Sequence, residues 1–86
     1  MAIIKKKTWP EYFKLIKAGK KKFELRLADF KIKPGDILVL EEYNPKTKKY
    51  TGQIIKKRVK FVLKLKLNRL YKIKELEKKG VYVIEI

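Results

Sequence analysis

The spacing of apolar residues changes several times along the chain, and each change predicts an element. Residues 2–7 form a short β-like run in which Ile3 and Ile4 precede three lysines. Thr8-Trp9-Pro10-Glu11 reads as a Thr-x-x-Glu capping box with proline inside the first helical turn. Trp9, Tyr12, Phe13 and Ile16 then recur at helical spacing, which predicts a helix over about 9–18 with an apolar stripe. Gly19 follows in the position where a left-handed residue ends a helix.

From Lys22 the period becomes two. Phe23, Leu25 and Leu27 alternate with Lys22, Glu24 and Arg26, which predicts a half-buried strand with its apolar residues in the core and its charges outside. Lys33-Pro34-Gly35-Asp36 fits a type II turn, with Pro second and Gly third. Ile37–Leu40 is uniformly apolar and predicts a buried strand that continues through Glu41, Glu42 and Tyr43. Residues 44–49 make a loop between Tyr43 and Tyr50, as in a hairpin. From about Gln53 a further strand places Ile55, Val59, Phe61, Leu63, Leu65 and Leu67 on one parity. Lys56, Arg58, Lys60, Lys64 and Lys66 fall on the other, a basic stripe on an apolar back interrupted by Lys57 and Val62. Asn68 suits the N-cap of a shorter second helix to Lys79, with Leu70, Ile73 and Leu76 inward and Gly80 as its stop; Tyr71 and Ile73 also fit a continuing strand. Residues 81–86 form a last strand. Four or five strands and two helices without a βαβ rhythm predict a single small α+β or barrel-like domain over residues 1–86.

Composition narrows the chemistry. The 86 residues contain no Cys, His or Ser, which removes disulfides, thiolate or imidazole metal sites, Cys or Ser nucleophiles and histidine acid/base catalysis. Lys, Arg, Asp, Glu, Thr and Tyr remain for chemistry; no metal and no cofactor is expected. No apolar run approaches the roughly 20 residues of a membrane span, and the start lacks the order of a signal peptide; the expectation is a cytoplasmic monomer. One Met, one Gln and two Asn among many Lys and Ile also fit a thermophilic source.

Charge changes the picture most. Lys and Arg number 25 against nine acids, a net +16, which makes nucleic acid the default partner. The distribution is uneven: residues 43–74 hold 12 basic side chains and no acid. Such a stripe neutralises phosphates, although edge strands also carry lysine simply to resist aggregation.

The chemically densest segment is Gly19-Lys20-Lys21-Lys22-Phe23-Glu24-Leu25-Arg26. Glu24 and Arg26 share one strand face about 6.6 Å apart, and a carboxylate can orient neighbouring cations. The same pattern also describes a plain surface salt-bridge ladder. Gly19-x-Lys21-x-x-Glu24-x-Arg26 resembles the GxKxxExR signature of the ASCH family in the PUA-like superfamily. Lys7 to Phe13 and Ile16 before it, and Pro34 to Leu38 after it, strengthen the likeness, which covers about residues 3–55 and the final strand. The resemblance implies a small PUA-like β-pseudobarrel and an RNA- or nucleotide-binding role. It places Lys21, Glu24 and Arg26 in a cleft, with Lys7 and Trp9 near its mouth. Trp9, Tyr12 and Phe13 fit the core by periodicity, but at the helix start the indole of Trp9 is also placed to stack on a base. Tyr43 and Tyr50 suit either stacking or cross-strand packing.

Some ASCH-like proteins are amidohydrolases that deacetylate an acetylated cytidine with a Lys, a Thr and a Glu. Here the lysine matches Lys21, Glu24 stands where the threonine belongs, and Glu75 or Glu77 would have to supply the glutamate. The leading expectation is therefore a non-catalytic RNA or nucleotide binder, with Lys7, Trp9, Lys21, Glu24 and Arg26 at the cleft and Lys56, Arg58, Lys60, Lys64 and Lys66 tracking phosphates. The alternatives are the hydrolase, acting through Lys21, and a basic domain that meets an acidic protein.

Overall fold

The computed structural model describes residues 1–65 and 80–86. In chain order these residues form β1 (Ile3–Thr8), α1 (Pro10–Lys17), β2 (Phe23–Leu27), β3 (Ile37–Asn44), β4 (Lys49–Arg58), β5 (Phe61–Leu65) and β6 (Val81–Glu85). This is a small α+β arrangement, mostly strands, and among the described residues six strands make two three-stranded sheets rather than a closed barrel. The orders are β1-β3-β4 and β2-β6-β5. Only one helix is present among the described residues, and the second helix expected from Asn68 lies outside them. None of the described helices is long and apolar enough to cross a membrane.

The helix starts at Pro10 and stops before Gly19, whose φ of 75° requires the left-handed region that glycine tolerates. The capping box does not form. Trp9 is the N-cap and makes no side-chain capping bond, because Thr8 is still the last residue of β1. Phe13 and Ile16 bury the inner stripe at 1% exposure each, whereas Trp9 and Tyr12 stay half exposed.

β1 runs parallel to β3, with Ile3 opposite Ile37 and Thr8 opposite Glu42. This pairing was not expected from the sequence pattern. A parallel return needs a long crossover, and α1 and β2 supply it. Asp36 anchors the start of the pair: its carboxylate accepts from the backbone N–H groups of Ala2 and Lys33, both at 3.0 Å. Inward residues of both sheets meet in a core of Ile16, Leu38, Leu40, Val59, Ile84 and Ile86. Lys6 also faces inward, its ammonium 3.7 Å from the Phe30 ring centroid, which shields the ring at the core's edge.

Two expectations are corrected here. The first is β2, where the exposed residues are Phe23 and Leu25 while Glu24 is 2% exposed. The charged parity faces inward and the apolar parity outward. The second is the long basic strand. The chain turns from one sheet to the other at Val59–Lys60, where Val59 exchanges backbone bonds with Gly35 and Asp36 and Lys60 donates to Glu85. The turn reverses the inward parity. Ile55 and Val59 face the core before it and Val62 after it, so Phe61, Leu63 and Leu65 lie exposed.

Candidate functional site

The open end of the domain, where β1 passes into α1 and β2 lies opposite, forms a cleft of about 410 Å³. That volume lies in the range of small-ligand sites. Its lining comes from Lys7, Thr8, Trp9, Tyr12, Lys21, Glu24, Leu25 and Arg26. Lys7, Trp9, Lys21, Glu24 and Arg26 are thus brought together, although β1 and β2 belong to different sheets.

Glu24 organises the cleft. Its carboxylate is almost fully buried and accepts from Lys21 Nζ at 2.6 Å and Arg26 Nε at 2.9 Å. Burying a carboxylate is costly unless charge-assisted bonds satisfy it, and these two do so, one to each oxygen. Arg26 then spans the cleft. Its Nη2 donates to the Lys7 carbonyl oxygen at 2.8 Å and to Thr8 Oγ1 at 3.3 Å. No buried side-chain N or O among the described residues lacks a partner.

The anchored cations retain capacity. Arg26 Nη1 and two of the three Lys21 protons make no hydrogen bond among the described residues, while the two side chains stay 24% and 19% exposed. With Lys7, the lining has three cations to one carboxylate, a field that favours an anion. The lining is also aromatic. Trp9 and Tyr12 stack with ring centroids 6.3 Å apart at 22°, and Lys21 Nζ lies 5.2 Å from the Tyr12 centroid. The arrangement therefore offers a flat π surface, rigid cationic donors and one fixed carboxylate.

Three lining residues have other places in the sequence pattern, Leu25 among them as a core position of β2. Thr8 read as a helix cap, although its parity with Ile4 and Lys6 on β1 would have turned it inward. Tyr12 read as core, although Trp9 and Tyr12 sit one turn apart on a helix whose other apolar pair, Phe13 and Ile16, already fills the core contact.

The residues of the basic stripe do not join the cleft. Lys56 and Arg58 lie exposed on β4, opposite Val39 and Ile37 of β3. Lys60 sits in the turn between the sheets, and Lys64 lies exposed on β5 opposite Tyr82. Lys66, Glu75 and Glu77 fall outside the described residues.

No curated protein matches this chain. Among solved structures it is similar to one described as the crystal structure of hypothetical protein PH0355, at 29% identity and a TM-score of 0.71, over 99% of this chain and 96% of that one. A family described as a domain of unknown function, DUF3850, matches residues 3–76, and with the match spanning most of its length this chain belongs to that family.

Proposed function

We propose that this domain binds RNA or a nucleotide in the cleft, in the manner of an ASCH domain of PUA-like type, and acts without catalysis in the cytoplasm. The observation that carries this reading is the Glu24 clamp. A buried carboxylate holds Lys21 and Arg26 at 2.6 and 2.9 Å, so both cations are fixed before a ligand arrives. Fixed donors lose little freedom on binding. In the same cleft, Trp9 and Tyr12 supply the faces on which a base stacks. Phosphate then engages the cations, and the remaining basic side chains add a sequence-independent electrostatic term.

Binding is favoured over amide hydrolysis by the same clamp. A hydrolytic base needs a free electron pair, and Lys21 Nζ is ion-paired to Glu24 as a donor. The test is titration of single-stranded, duplex and structured RNA at two ionic strengths, with acetylated cytidine followed in parallel for deacetylation. RNA binding that falls with salt, without deacetylation, supports the reading. Turnover that Lys21→Ala abolishes would establish the hydrolase instead.

A further inference from the structure

On the other side of Lys7 lies a second aromatic platform. Tyr43 and Tyr50 pair across the β3–β4 hairpin, opposite one another in register, with ring centroids 5.1 Å apart and planes at 65°. The Lys7 ammonium stands 4.5 Å from the Tyr43 centroid and 5.8 Å from that of Tyr50, and no carboxylate oxygen pairs with it among the described residues. Lys7 therefore belongs to both places: it lines the cleft, and its charged end covers the tyrosine pair. Trp9 continues the extended backbone of β1 with φ −65° and ψ 148°, so its Cα is about 6.6 Å beyond that of Lys7. Tyr50 is half exposed and leaves a ring open to solvent.

The chain builds this platform deliberately. Between the Glu41–Ile54 and Tyr43–Tyr50 pairs, β3 advances two residues and β4 four, a bulge that contains Gly52 at φ 91°. The insertion is even-numbered, so it keeps Tyr50 on the same face as Ile54 while bending the hairpin. Beyond Tyr50 the hairpin tip carries exposed Lys46, Lys48 and Lys49.

We infer that the ligand is a single strand of at least two nucleotides, one base held in the cleft against Trp9, the next stacked on Tyr50, and the linking phosphate on Lys7. The inference rests on the nucleotide-binding reading of the cleft and extends it. Aromatic faces separated by cations are how proteins bind single strands without reading sequence. A free mononucleotide would leave Tyr50 and the hairpin lysines unused. A duplex would keep its bases stacked on each other, away from both platforms.

The test compares binding of adenosine monophosphate with that of oligoadenylates of two to six nucleotides, using wild type, Tyr50→Leu and Tyr50→Phe. Wild type is expected to gain at least about tenfold in affinity from one nucleotide to two or three. Tyr50→Leu should lose most of that gain while binding the monophosphate as before, since stacking contributes roughly five- to a hundredfold per base. Tyr50→Phe keeps a π face and should retain the gain, which separates stacking from hairpin packing. If the monophosphate binds as tightly as the oligomers, or if Tyr50→Leu leaves the gain intact, the two-platform inference is overturned and the cleft reading stands. If neither monophosphate nor oligomer binds wild type, both fall together.

Discussion

Arg26 Nη2 lies 2.8 Å from the carbonyl oxygen of Lys7, so a side chain on one sheet is bonded to the backbone of the other. This bond, with the contact to Thr8 Oγ1, ties the cleft's two walls together. It also depends on arginine at this position. Only the guanidinium fork can give Nε to Glu24 and Nη2 to Lys7 at once.

Arg26→Lys should therefore behave as a loss, not a conservative change. A lysine ammonium reaches one of those acceptors and leaves the other. We expect RNA affinity to fall by about tenfold or more, and Arg26→Ala by at least as much. Glu24→Gln should weaken binding although it removes a negative charge from a cation-rich cleft, because the two cations lose their anchor. Fluorescence anisotropy with one labelled RNA compares all three, and tighter binding by Glu24→Gln would refute the anchoring role.

Much of the fold is legible in the sequence wherever one local rule acts unopposed. Pro10 and Gly19 bracket the helix. Pro34-Gly35 makes its turn with Gly35 at φ 94°, and the apolar run at 37–40 is the buried strand. Lys21, Glu24 and Arg26 are legible as a charged cluster because their segment joins a helix end to a strand, whereas Thr8, Tyr12 and Leu25 are not. What misleads is parity. Assigning charge to the outside fails in β2, because Glu24, Lys21 and Arg26 satisfy one another and face the cleft. Along residues 53–67 the alternation runs on, but no Gly or Pro marks the turn at Val59–Lys60. Tertiary backbone bonds to Gly35, Asp36 and Glu85 impose it. The capping box is overridden likewise, since Thr8 is held in β1 and receives Arg26.

Stability separates the two parities directly. Leu40 is fully buried, whereas Leu63 is 43% exposed although both sit on strands of similar pattern. Leu40→Ala should cost about 2–5 kcal/mol, and Leu63→Ala less than about 1 kcal/mol. Urea unfolding of each variant measures both, and equal losses would contradict the exposed placement of β5's apolar face.

Gly52 provides a test of the hairpin bulge. A Cβ there would meet no atom within 4 Å, so its only penalty is the φ of 91°. Gly52→Ala should cost about 1–2 kcal/mol and should weaken oligonucleotide binding more than mononucleotide binding, by disturbing Tyr50. Unchanged stability in thermal unfolding would show that the bulge does not require a left-handed residue.

The Asp36 carboxyl is held below its ordinary value of 3.8, first by the Ala2 N–H and then by the Lys33 N–H and nearby positive charge, against the cost of burial. A depressed pKa in the folded state stabilises fully above the ordinary value. That contribution is lost as pH falls below it through the folded value. Wild type should therefore lose stability as pH falls below the ordinary value of 3.8, and Asp36→Asn should be weaker at neutral pH with a smaller decline on acidification. A variant as stable as wild type at neutral pH would remove Asp36 as the anchor of β1 on β3.

The most direct measurement titrates a labelled single-stranded RNA against wild type and Arg26→Ala at low and moderate salt, with a charge-matched polyanion as competitor. We predict that RNA outcompetes the polyanion on wild type, that affinity falls steeply with salt at about 0.7 log unit per log unit for each phosphate engaged, and that Arg26→Ala loses the preference for RNA while keeping much of the salt dependence. Equal binding of RNA and polyanion by wild type, or no RNA binding at low salt, would contradict a nucleotide-selective cleft.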